Sequence, residues 1–165
     1  MKRSAPRCPV PAEQLPIREY EEMRESWFYS WGARNIRGYV MPVLIVWSLS
    51  WFVSGPIAAV SFAPTKFLTK FLISAALGAL VIPGLTLLQL YVGWSHVGNR
   101  LQVRDLPYEE SGWYDGQIWT KPDDIFKRDC LIVDYQVKPI LTRLRKTFGI
   151  MAGCLAAGFL GWSLF

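Results

Sequence analysis

A chain of 165 residues has the length of one ordinary soluble domain, but 52% hydrophobic against 19% charged residues, with a mean hydropathy of +0.19, is too apolar for one and places it in a membrane. The net charge of +5 does not mark a nucleic-acid binder, because the lysines and arginines flank hydrophobic runs and alternate with acids instead of forming a basic stripe. Three widely spaced cysteines, Cys8, Cys130 and Cys154, make neither a disulfide framework nor a zinc site and read as ordinary thiols.

In chain order, only the first dozen residues, with Pro6, Pro9 and Pro11, approach a disordered composition. From Pro16 to Trp31 the apolar residues Tyr20, Met23, Trp27, Phe28 and Trp31 recur at helical spacing, while Arg18, Glu19, Glu21, Glu22, Arg24 and Glu25 lie mainly on other faces. Pro16 suits a first helical turn. This amphipathic helix either lies in the headgroup interface, with its rings at the boundary, or packs on the large polar loop.

Three stretches then lack Asp, Glu, Lys and Arg: Gly38 to Thr65 (28 residues), Phe71 to Asn99 (29 residues) and Thr147 to Phe165 (19 residues). About 20 apolar residues span a hydrocarbon core, so three transmembrane helices are predicted. The first is too far from the N-terminus, and follows too acidic a segment, to be a cleaved signal. The short connection from Pro64 to Lys70 makes spans one and two an antiparallel hairpin. Gly55-Pro56 and Pro83-Gly84 should kink them, as ordinary bends in a packed bundle or, functionally, as a hinge or broken helix; membrane helices tolerate Pro and Gly often enough to favour the former.

Seven lysines and arginines precede the first span, nine lie between Arg100 and Lys146, and two lie in the hairpin connection. The positive-inside rule therefore puts the N-terminus and the large loop in the cytoplasm or stroma, with the C-terminus on the far side. The expected division is an N-terminal tail and interfacial helix (1–37), a transmembrane hairpin (38–97), a cytoplasmic or stromal cap (98–146) and a third span (147–165). The fold class is an all-α membrane protein with a small cap of interfacial helix, hairpin-like loop and amphipathic helix.

Within the cap, Asp115-Gly116 sits between aromatic and β-branched residues, the short-range signature of a hairpin turn. Pro122-Asp123-Asp124 opens a helix whose buried stripe is Ile125, Phe126, Ile132, Val133, Val137, Ile140, Leu141 and Leu144, and Pro139 should bend it before span three.

No catalytic or metal-ligating set emerges from these residues. Glu109, Glu110 and Asp115, among Tyr108, Trp113, Tyr114 and Trp119, are placed to tune a carboxyl pKa or bind a cation, but acids beside a turn at a membrane surface are usually a solvated face, and that reading is preferred. His96 is the one histidine, at the cytoplasmic end of span two. An imidazole there is able to ligate haem iron or chlorophyll magnesium, with Gly93 clearing space for a ring; without a second ligand, a hydrogen-bonded interfacial histidine is the better reading and no cofactor is predicted. In span three, Gly149, Gly153, Ala157 and Gly161 recur every four residues and form a small-residue face for close helix packing, with spans one and two as the expected neighbours.

Cys8-Pro9-Val10-Pro11, Ser26-Trp27-Phe28, the string Tyr108-Glu109-Glu110-Ser111-Gly112-Trp113-Tyr114-Asp115-Gly116-Gln117, Lys121-Pro122, Arg128-Asp129 and Tyr135-Gln136-Val137 resemble the family called hypothetical chloroplast reading frame thirty-six, also known as a protein conserved in the green lineage and diatoms. The resemblance runs from about Cys8 to Thr147. It implies an integral plastid membrane protein of oxygenic phototrophs, whose plant members are associated with growth under low iron, and it supplies no catalytic residues. With no transit peptide before Cys8, a cyanobacterial or plastid-encoded member is expected.

The resulting expectation is a non-enzymatic photosynthetic-membrane protein that supports photosynthetic complexes or acclimation to low iron. Its cap docks on another photosynthetic-membrane protein through Tyr108, Glu109, Glu110, Trp113, Tyr114, Asp115 and Trp119, since aromatic anchors supply most of the binding energy at interfaces. The alternative is a protein or enzyme that handles a tetrapyrrole or another lipid-soluble substrate with Glu109, Glu110 and His96. A transporter is disfavoured by the absence of charge within the spans.

Overall fold

The computed structural model of the protein describes residues 10–110 and 113–164, with side chains at all of these but 12, 108–110, 113–117 and 164. After a single 3-10 turn (Ala12–Gln14) come α1 (Pro16–Glu25), α2 (Ser30–Ala33), α3 (Ile36–Ser61), α4 (Leu68–Gly78) and α5 (Val81–Gln102). A two-stranded antiparallel sheet follows, β1 (Asp105–Glu110) with β2 (Trp113–Thr120), then α6 (Asp123–Ile132), a π-helical turn (Val133–Val137) and α7 (Lys138–Leu164).

The chain is mostly helical, as the patterning predicts. Among the described residues, Ile36–Ser61 and Leu68–Gln102 are long and apolar enough to cross a membrane. Their outward side chains fit that medium: on α3, Phe52 is 79% and Val60 90% exposed, contacts that lipid satisfies and water does not.

Proline shapes the helices unevenly. α3 continues through both Pro42 and Pro56. The second apolar run is interrupted at Ala79–Leu80, four residues before Pro83, whose ring cannot accept a helical carbonyl behind it and offers no N–H to Ala79. Pro139 produces a third outcome. It cannot donate to Tyr135, and the turn just before it widens so that the Lys138 N–H bonds the Val133 carbonyl five residues back, a π-turn. α7 (Lys138–Leu164) then runs as one helix from the cap segment into the apolar C-terminal segment.

The tightest packing surrounds the last turns of α5. Trp94, Leu90 and Leu101 have no exposed surface, and Val137 of the π-turn and Leu144 of α7 close on them. α1 lies against this cluster: the Tyr20 ring meets Trp94 edge-on at 6.2 Å, and its hydroxyl bonds Gln136.

The helix expected from Pro16 to Trp31 is in fact two. α1 stops at Glu25 and Ser26 takes an extended conformation. The break lets the Tyr29 carbonyl accept from Trp94 Nε1 at 3.1 Å and turns Trp31 inside (7% exposed) while Trp27 points out (77% exposed). Helical spacing alone put both tryptophans on one stripe; the break at Ser26 separates them.

The hairpin also departs from its expected form. Tyr108 pairs with Gln117 and Glu110 with Trp113, so Asp115-Gly116 falls within β2 and not at the turn between the strands; Ser111 and Gly112 lie outside the described residues. Three residues, Tyr114 to Gly116, oppose the single Glu109 across this irregularity. The Asp-Gly pair thus serves a bulge, where a glycine is also favoured.

Candidate functional site

The hairpin is anchored at its base by a buried ion pair. Lys121, directly after β2, donates from Nζ to Asp129 Oδ2 on α6 at 3.0 Å and to the Leu101 carbonyl at 3.0 Å, with the two side chains only 1% and 3% exposed. The lysine thereby caps the carbonyl end of α5, where the helix dipole is negative, and the Arg128 guanidinium holds the other Asp129 oxygen at 3.1 Å. The Lys121 N–H also bonds the Arg104 carbonyl, and Arg104 pairs with Asp123 at the start of α6. Sheet, α5 and α6 are locked together by charge at one point.

Above that lock the two faces of the ribbon differ. Leu106 and Trp119 are directly opposed and share the inner face, Leu106 buried at 3% and Trp119 half-buried, whereas Pro107 and Ile118 share the outer face and are exposed. Of the predicted docking aromatics, Trp119 is therefore turned toward the body. Ile118, 66% exposed and not singled out by the sequence, occupies the outer face, and Leu131 and Tyr135 on α6 and the π-turn are exposed as well. The missed signal was strand alternation once the register is known. Tyr108, Glu109, Glu110, Trp113, Tyr114 and Asp115 lie by their backbones in the outer part of the ribbon, and their side chains are outside the described residues.

His96 is exposed at the edge of a hollow of about 400 Å³ between α1 and α5, lined also by Glu19, Glu22, Met23, Ser26, Tyr29 and Gly93. The acids that α1 brings there are Glu19 and Glu22; Glu109 and Glu110 belong to the hairpin and do not line it. Glu19 is bound to Arg100 through one oxygen, and its other oxygen is buried without a hydrogen-bond partner. Gly93 does clear space for a ring, and that ring is Tyr29, whose Cε1 lies 2.5 Å from where a Cβ would sit. Sequence reading missed Glu19 and Glu22 because the contact between α1 and α5 is not visible along the chain.

On α7, a Cβ at Gly149 or Gly153 would meet nothing within 4 Å, and Ala157 is exposed. The helix instead meets its neighbour at Gly158, where an added Cβ would lie 2.6 Å from Leu77 of α4, while one at Gly161 would be in ordinary contact with Ile73. Most of the small-residue face therefore looks away from spans one and two rather than onto them. Among the described residues no group of three His, Cys, Asp or Glu is placed to hold a metal ion, and Cys130 and Cys154 are free thiols. Cys8 is outside the described residues.

The family model described as conserved in the green lineage and diatoms 27 matches residues 8–150. The chain is 39% identical to the chloroplastic protein of that name from Arabidopsis thaliana over 91% of its own length and 46% of the relative's, so it spans about half of that protein. It is 39% identical to ycf36 of Pyropia yezoensis, with 88% of each chain covered, and 40% identical to ycf36 of Guillardia theta over 87% of this chain and 90% of that one. No solved structure matches it.

Proposed function

Since the chain belongs to the family conserved in the green lineage and diatoms 27, we propose that it is a three-span protein of a plastid or cyanobacterial photosynthetic membrane, whose stromal or cytoplasmic cap docks on another membrane protein to support photosynthetic complexes when iron is scarce. The observation that supports docking is the ribbon itself. Its base is fixed by the buried Lys121–Asp129 pair, while its outer face offers Ile118 and both strands have one open edge, a combination that suits addition of a partner strand or an apolar contact. α7 supplies the third span, since its segment from Thr147 onward is free of charge and continues the cap helix outward.

The test is recovery of partners from detergent-solubilised, iron-starved membranes. Ile118→Asp and Trp113→Ala should each reduce recovery of a specific partner, while Glu109→Gln and Glu110→Gln leave it intact; loss of function in the Gln variants with undiminished partner recovery would instead mean chemistry at the acids. For the topology, protease added to the stromal or cytoplasmic face should cut between Arg100 and Lys146 and spare a tag after Phe165. A second reading, haem or chlorophyll held at His96, draws on the hollow beside it, and an absorption spectrum of the same eluate that vanishes in His96→Ala would favour it.

A further inference from the structure

α3 carries a pocket that neither the cap nor the family points to. Between the last three turns of α3 and the α4–α5 junction lies a cavity of about 420 Å³, inside the range of small-molecule sites. Its lining is apolar apart from serines, and it contains no charged side chain. Two of those serines are satisfied within their own helices: Ser50 Oγ donates to the Val46 carbonyl and Ser74 Oγ to the Lys70 carbonyl, each at 2.7 Å. Ser54 is different. It is 9% exposed, lines the same cavity, and its hydroxyl has no hydrogen-bond partner. The close approach of the helices here depends on Gly78, where a Cβ would lie 3.2 Å from Ser54 Cβ.

An unpartnered hydroxyl in a hydrocarbon environment is costly, since no water is at hand to satisfy it. We propose that this cavity binds a neutral, bilayer-dissolved carbonyl compound of the prenylquinone class, whose ring oxygen accepts the Ser54 hydroxyl proton and whose apolar body lies against α3 and Ile82. The uncharged lining excludes phosphates and carboxylates, which would enter unpaired. Depth selects a ring carbonyl over the ester of an ordinary membrane lipid. Ser54 is seven residues from the end of α3 at Ser61, about 10 Å along the axis, which is beyond the headgroup boundary where acyl esters sit. The inference rests on α3 and α4–α5 crossing the bilayer and is independent of docking by the cap.

The experiment uses the full chain in zwitterionic lipid nanodiscs and a photoreactive azido-benzoquinone with a decyl tail. Labelling should saturate and map to residues 50–62 and 74–82. Ser54→Ala should weaken the apparent affinity roughly three- to tenfold, the worth of one hydrogen bond, and should not lower the melting temperature of the probe-free protein, because the removed hydroxyl had no partner. Ile82→Trp, a substitution at an exposed position on the rim, should abolish saturable labelling with the melting temperature unchanged. Labelling that never saturates, that spreads over every lipid-facing helix, or that is equal in wild type and Ser54→Ala overturns the assignment. So does native mass spectrometry that finds a glycerolipid in the cavity which the quinone fails to displace.

Discussion

The two ends of the helical bundle are held by different forces. At the cap end, polar contacts join elements far apart in sequence: Arg100 to Glu19, Lys121 to the Leu101 carbonyl, Arg143 to the Gly32 carbonyl, and the Tyr39 hydroxyl to Thr147 Oγ1 at 2.8 Å. At the opposite end, the hydroxyls of Ser50, Ser74, Thr86 and Ser163 bond carbonyls of their own helices, and helices meet largely through rings and apolar side chains: Phe62 lies 4.8 Å from the Trp162 ring, over which the Lys70 ammonium also sits. The first end is specified by apolar burial and long-range hydrogen bonds, as a soluble core is. For the second, the proposed membrane setting would give no hydrophobic drive for helices to associate and would leave shape as the main determinant of packing.

Breaking the buried charge at the cap end should have the largest effect. Asp129→Ala leaves the Lys121 ammonium buried with only carbonyl partners and should cost about 3–5 kcal/mol in denaturant unfolding of the micelle-bound protein, whereas the double change Lys121→Met with Asp129→Leu should recover most of that loss. A recovery that does not occur would show that the pair positions the hairpin beyond its own charge balance.

Overpacking the α1–α5 contact comes next. Gly93→Ala sets a methyl 2.5 Å from the Tyr29 ring, and about 1–3 kcal/mol of destabilisation is expected from thermal melts, with greater protease sensitivity of α1. Unchanged melting would mean that Tyr29 moves freely and that α1 is not fixed on α5.

At the far end, comparable changes should be nearly silent. Phe52→Ala removes a ring that is 79% exposed, and a shift within about 0.5 kcal/mol is the expected result in the same melts. Gly153→Leu extends into open space and should not destabilise a single chain. A marked loss in membranes, with none for the isolated chain in detergent, would identify a second chain packed on that face of α7.

The amino-acid sequence by itself determined the coarse order of elements and which of them are apolar enough to cross a membrane. Runs such as Gly38 to Thr65 are too long and uncharged to be anything but buried or lipid-facing helix, Pro122-Asp123-Asp124 opens α6 where its acids favour a helix start, and the long string around Trp113 carries the family. These features are local, and local physics suffices to read them. What tertiary structure decided was every choice between equivalent local options. Periodicity allowed one helix from Pro16 to Trp31, and the chain breaks it at Ser26, which lets the Tyr29 carbonyl accept from Trp94. Asp-Gly is a turn signal in the sequence, and strand register assigned it to a bulge within β2. His96 stood beside no acid in the sequence, and the docking of α1 placed Glu19 and Glu22 there. The small-residue stripe specified that a helix is able to approach closely, but which face of α7 meets α4 depends on the fit of Leu77 against Gly158, a contact between residues 81 positions apart that spacing along one helix does not encode.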